Sequence, residues 1–290
     1  MRNRSAWLRG LMNNLNYPEK AVTVLLEAYE TMRAAPQLEQ ALAVYENNWM
    51  FDYRALLSQI THAGDACGIP EETAHMVFVL CMAEHMKRLY QQRDIPEEMY
   101  WDAMCDTRCK LLECRQIRGV WGTFVAHWYD RFFLLTRFAI GRLQFEPALS
   151  PGDFQWEGDS VKQGEPVIKV HIPSSGPLRQ DACVDAFRRA GKWFAPLFPN
   201  GGVLFFCASW LVSPDHVRML PPESNIRKFM DFFHIFPGNR TVEKDLWRIF
   251  GSMDTDPERL PRDTGLRRGY AEALERGEIP VMGYGIFRNE

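Results

Sequence analysis

One stretch restricts the fold of this chain more than any other: VIKVHIPSSGPLRQDACVDAFRRAGKWF, residues 167 to 194, with GVLFFCASWLV following at 202 to 212. Residues 167 to 172 read as a strand, and from about 179 to 195 the spacing becomes helical. Cys183, Phe187, Ala190, Phe194 and Leu197 make one apolar stripe, while Asp181, Asp185, Arg188, Arg189 and Lys192 lie mostly away from it. Strand, helix and strand in that order predict a parallel pair, 167 to 172 beside 203 to 211, joined by a right-handed crossover. Such a pair has its useful crevice at the carboxyl ends of its strands, which places PSSGPL at one end and WLVSPD at the other.

The flanking sequence supplies the rest of a sheet. IGRLQFEP alternates Leu143 and Phe145 against Arg142, Gln144 and Glu146, the period-two pattern of a strand with one wet face. Turn-rich EPALSPGD and VKQGEP bracket the short FQWEG, so strand, hairpin and strand are expected before residue 172. Downstream the pattern predicts a helix near SNIRKFMDFF, a strand at HIF, helices at TVEKDLWRIF and GLRRGYAEALERG, and a closing strand at PVMGYGIF.

Residues 1 to 136 follow a different grammar and read as a helical bundle. YPEK at 17, IPEE at 69 and IPEE at 95 each place proline at a helix start with glutamate just after it. The missing N–H costs nothing there, and the carboxylate meets the positive end of the helix dipole. Ala74, Val77, Leu80, Cys81, Ala83 and Met86 recur at helical spacing, as do Met99, Ala103 and Leu111. The fold class is thus α+β in two domains, with a helical bundle over 1–136 and a mixed α/β sheet domain over 137–290.

Charge narrows the partners. With 34 Lys+Arg against 37 Asp+Glu there is no basic footprint for nucleic acid or an anionic membrane. No run approaches the ~18 apolar residues that span a bilayer, and MRNRSAWLRG lacks the apolar core of a signal peptide, so a cytoplasmic protein is expected. Seven scattered cysteines fit reduced thiols. In CDTRCKLLEC, Cys105 and Cys109 share a helix face but Cys114 falls on the other side, so no metal is expected.

Four segments carry a resemblance. IGRLQFE, VHIPSSGPL, CASWLV and SNIRKFMDFFHI together resemble a family of bacterial acyltransferase-domain proteins in which an N-terminal helical domain precedes a GNAT-like domain. The likeness extends over most of the chain and is most specific between Gly141 and Ile235. It implies that acetyl-CoA or another acyl-CoA is the co-substrate. Ser174, Ser175 and Gly176 would take its pyrophosphate, the second strand would splay to admit pantetheine, and Cys207 to Trp210 would border the acyl site. The superfamily's turn pattern, Gln or Arg, two residues, Gly, one residue, then Gly or Ala, is absent.

Each candidate residue has a structural reading beside the functional one. His171 can take a proton from an amine nucleophile, or hydrogen-bond a neighbour and order the turn. Glu146 can act as a base directly or through water, or be an exposed or ion-paired strand-end carboxylate, with Arg142 as one partner in reach. Ser209 can protonate a departing thiolate, or pack; Trp210 can wall an acyl pocket, or join the core in a chain with 9 Trp and 19 Phe. A nucleophilic Cys207 served by His171 would make a different enzyme, one passing the acyl group through a thioester. Ser224 caps a helix and leaves Asn225 as the spare polar group for substrate. His75 and His85 read as structural.

The expected activity is direct transfer of an acyl group from acyl-CoA to an amine of a small molecule or peptide. The alternative is a non-catalytic scaffold that kept the fold and lost the cofactor, with the helical domain as a partner-binding or homo-oligomer surface.

Overall fold

In a computed structural model, residues 4–48 and 50–289 are described, and the chain divides into two compact units, Met1–Phe138 and Ala139–Glu290. The first holds α1 (Arg4–Asn14), α2 (Glu19–Met32), α3 (Pro36–Asn47), α4 (Tyr53–Ala66), α5 (Glu71–Gln92), α6 (Glu97–Arg118) and the short α7 (Asp130–Phe133). Pro18, Pro70 and Pro96 each stand one residue before a helix, with φ of −58°, −53° and −52°, and glutamates fill the first turns of α2, α5 and α6. The ring presets the backbone for the helix while the carboxylates answer its unsatisfied amides.

The spacing along α5 predicts one apolar stripe, but every residue from Thr73 to Glu84 is buried. The reason is position: α5 packs against α1, α2, α3, α4 and α6, so it has no wet side over three turns. Its polar members are accommodated locally. His75 Nε2 lies 3.0 Å from the Thr61 hydroxyl, and Glu84 lies 3.5 Å from Arg88.

The second unit is built on strands β1 (Phe138–Ile140), β2 (Leu143–Leu149), β5 (Pro166–His171), β6 (Val203–Ser209), β7 (His234–Thr241) and β8 (Val281–Asn289). They form one sheet in the order β1-β2-β5-β6-β8-β7, and β3 (Phe154–Trp156) with β4 (Asp159–Val161) makes a separate hairpin. β5 and β6 are parallel and joined by α8 (Gln180–Phe194), while β5 is antiparallel to β2 and β6 to β8. Four expectations shift. β2 continues through the turn-rich EPAL to Leu149, with Pro147 in register opposite Ile168. Leu197 lies past the end of α8 and is exposed. Thr241 still belongs to β7, so the helix expected from there is the short α11 (Leu246–Phe250). The apolar run at 202 to 212 ends as a strand at Ser209, because residues 210–212 close into a 3-10 turn. The remaining helices are α9 (His216–Met219), α10 (Asn225–Met230) and α12 (Gly265–Glu275).

The sheet has two different faces. On one, Phe145, Phe205 and Phe287 pack under α8 and α10, with Phe187 of α8 touching all three at ring-centroid distances of 5.9, 5.2 and 4.9 Å. On the other, Val167, Leu204, Phe206 and Ile286 pack with Val161 and with Phe154 and Trp156 of the hairpin.

Candidate active site

The ladder between β5 and β6 lies wholly within the described residues and is short. It registers Ile168 with Phe205 and Lys169 with Phe206, although β5 runs on to His171 and β6 to Ser209. Pairing between the two strands therefore stops two residues short of the end of β5 and three short of the end of β6. β6 keeps its other neighbour, since Ser209 still pairs with Gly283 of β8. Beyond it the chain must cross β8, and a Cβ on Gly283 would come within 1.7 Å of the Val212 carbonyl oxygen. Glycine at 283 is what allows the turn after β6 to pass so close.

Beside these unpaired strand ends stand Glu146 and His171. β2 and β5 place Gln144 opposite His171 and Glu146 opposite Lys169, so all four side chains share the hairpin face of the sheet. His171 Nε2 lies 3.2 Å from Glu146 Oε1, and the two side chains are only 14% and 10% exposed. Glu146 thus has His171 as an ion-pair partner, and Arg142 donates to the turn that follows β5. The two groups are close without hydrogen-bond geometry at Nε2, and the positive charge the imidazole gains on accepting a proton is offset by the carboxylate.

The PSSG turn follows β5 directly. Ser174, Ser175, Gly176 and Pro177 are exposed, and Gly176 has φ of +116°, a conformation that side chains disfavour. Behind the turn, Arg142 donates from Nη1 to the Pro173 carbonyl at 2.9 Å, from Nη2 to Gly176 at 2.5 Å and from Nε to Pro177 at 3.1 Å. The turn leads into α8, a 15-residue helix that starts at the carboxyl end of β5.

The other candidates separate. Ser209 is half-buried and its Oγ accepts the Leu211 N–H at 3.1 Å, capping the turn at 210–212. Trp210 leaves the strand alternation and packs against a cluster of Val242, Leu246, Ile249, Phe250, Tyr270 and Met282. Ser224 accepts from the Arg227 N–H at 3.2 Å as the cap of α10, and Asn225 is exposed beside it. Cys207 is fully buried on the aromatic face, opposite the face that carries His171, and burial pushes its thiol up to about 12. Cys207 and His171 therefore lie on opposite faces of the sheet. Among the described residues no group of three or more His, Cys, Asp and Glu could hold a metal.

Two features escape the sequence pattern. One is Arg142, whose carbonyl partners lie 31 to 35 residues away. The other is His216, fully buried, with Nε2 2.9 Å from the Tyr270 hydroxyl and a pKa lowered by burial to about 4. It keeps a neutral imidazole beside the turn that follows β6. A lone histidine in WLVSPDH carries no signal for that.

The comparisons agree with this architecture. The family description "GNAT-like C-terminal domain" matches residues 137–287, and "N-acyltransferase N-terminal domain" matches residues 6–135. Among curated proteins none matches. An acyltransferase mutant in complex with octanoyl-CoA shares the fold at a TM-score of 0.77 and 22% identity, over 98% of this chain and 88% of that one. An acyltransferase in complex with decanoyl-CoA and teicoplanin does so at 0.76 and 23%, over 97% and 87%. With both halves accounted for, this chain belongs to the N-acyltransferases that join an N-acyltransferase N-terminal domain to a GNAT-like C-terminal domain.

Proposed function

We propose that this protein transfers an acyl group directly from acyl-CoA to an amine of a small molecule or peptide, in the cytoplasm. The observation that carries the reading is the end of β5–β6 pairing past Lys169 and Phe206, beside the His171–Glu146 pair. Pantetheine enters between the strands, and a backbone N–H of β6 near Ala208 polarises the thioester carbonyl. The amine attacks that carbonyl and loses a proton to His171, whose developing charge Glu146 offsets. The thiolate of coenzyme A departs and takes a proton from solvent or from Ser209. Ser174, Ser175 and Gly176 receive the pyrophosphate on main-chain amides, with the N-terminus of α8 adding its dipole. Trp210 borders the acyl end, and Asn225 contacts the acceptor.

Solved neighbours that hold octanoyl-CoA and decanoyl-CoA support the donor class, and a neighbour that also holds teicoplanin supports a small-molecule or peptide-like acceptor. Isothermal titration with coenzyme A and with acetyl-, octanoyl- and decanoyl-CoA tests the reading. Saturable binding is expected. Silence across that set would leave the non-catalytic alternative standing.

A further inference from the structure

We infer that Arg142 is a positioning residue for the diphosphate of the acyl donor: it holds turn 173–178 in the orientation that presents amides and hides carbonyls. The inference rests on the reading of that turn given above. A guanidinium carries five N–H donors in a fixed planar fork. Arg142 commits donors from all three of its nitrogens to consecutive-turn carbonyls, those of Pro173, Gly176 and Pro177, at 2.9, 2.5 and 3.1 Å. It reaches them from the turn between β1 and β2, across the end of β5.

The consequence follows from peptide geometry. The described residues contain no cis peptide, and in a trans peptide the C=O of one residue and the N–H of the next point in opposite directions. Carbonyls 173 and 177 turned toward Arg142 therefore send the N–H groups of Ser174 and Leu178 the other way. The third peptide, Gly176–Pro177, has no N–H to give, and its carbonyl is the dipole that would most oppose an anion if it faced outward. PSSG lacks the run of glycines by which a phosphate-binding turn usually sets its own shape. Arg142 supplies that shape from outside, and adds a positive charge behind it.

The test compares two ligands in the full chain: coenzyme A, and pantetheine, which lacks the diphosphate. Wild type is expected to bind coenzyme A more tightly than pantetheine. Arg142→Gln should weaken coenzyme A about tenfold or more, equivalent to about 1.4 kcal/mol, and leave pantetheine within about twofold. Arg142→Lys, which keeps the charge and loses the fork, should recover only part of the difference. Melting curves establish that each variant is folded, and the lysine variant carries the test if the glutamine variant is not. An unchanged ratio of the two affinities in a folded variant would overturn the role of Arg142 alone. A wild type that binds both ligands equally would overturn the reading of the turn, and the inference with it.

Discussion

The two faces of β5 are one residue apart and have opposite chemistry. Ile168 and Val170 lie on the side where Phe145, Phe187, Phe205 and Phe287 pack together. Lys169 and His171 lie on the side where Glu146 is held 3.2 Å from the imidazole. The aromatic face needs only area and shape, and it gains both from rings that meet edge-on at about 5 to 6 Å. The other face sets a carboxylate and an imidazole, each nearly buried, beside a gap in the ladder. Burying such groups costs free energy unless they are paired, so their placement is explained by pairing and use rather than by cohesion. Stability and chemistry are thus written on alternate residues of the same strand.

That division can be broken from either side, and the aromatic side should give the larger effect. Phe187 is 3% exposed and touches Phe145, Phe205, Phe229, Phe232, Phe233 and Phe287. Phe187→Ala should lower unfolding free energy by about 3–5 kcal/mol in a denaturant titration. The molecules that remain folded should keep their kcat. A kcat that fell in proportion to stability would mean that the two faces are not separate.

On the polar face the pattern should reverse. His171→Gln should reduce kcat by roughly 10²–10³-fold while shifting unfolding free energy by less than about 1 kcal/mol. Glu146→Gln keeps the shape and removes the charge that offsets the imidazolium; about a tenfold loss in kcat is expected, with KM for acyl-CoA unchanged. A raised KM with kcat unchanged would assign the pair to substrate binding instead of proton transfer.

His216 sharpens the contrast between burial and use. Its folded pKa of about 4 lies below the ordinary value near 6.5, so between those pH values the unfolded chain binds the extra proton. Its contribution to stability is complete above pH ~6.5 and is lost as pH falls toward ~4. The total is on the order of 3 kcal/mol, and His216→Gln should flatten that part of the stability profile. Activity at pH 8, where both forms are neutral at this position, should change little in comparison.

Much of this was legible in the sequence because local rules decided it. The switch from period two to period 3.6 at PSSG placed β5, α8 and β6, and three proline-glutamate pairs marked three helix starts. His171 and Glu146 could be named from their alternation, though not as partners, since register between β2 and β5 depends on a hairpin of unread length. The end of β6 was hidden because Trp210, Leu211 and Val212 continue an apolar, strand-like run. What stops the strand is the cap from Ser209 and the gap at Gly283, 71 residues further on by number. Arg142 read as one member of a wet strand face, and its destination is a contact between segments that only the sheet order brings together.

The smallest expected effect is the most discriminating. Cys207 has the right element and the right neighbour to be suspected as an acyl-carrying nucleophile, and the face of the strand and its burial argue against it. With its thiol at about 12, roughly one molecule in 10⁵ carries the thiolate at pH 7, and the imidazole of His171 projects from the other side of the sheet. Raising the folded pKa above the ordinary value also means that Cys207 contributes stability fully below pH ~8.5 and loses it as the medium is made more alkaline. Cys207→Ala should therefore cost about 1 kcal/mol of stability at pH 7 through lost packing, remove that alkaline decline, and leave kcat within about twofold. A covalent relay would lose at least 10³-fold, and would leave an acyl group on the protein that mass spectrometry could find after mixing with acyl-CoA alone. Either sign would place the chemistry on the aromatic face and undo the division on which the other predictions depend.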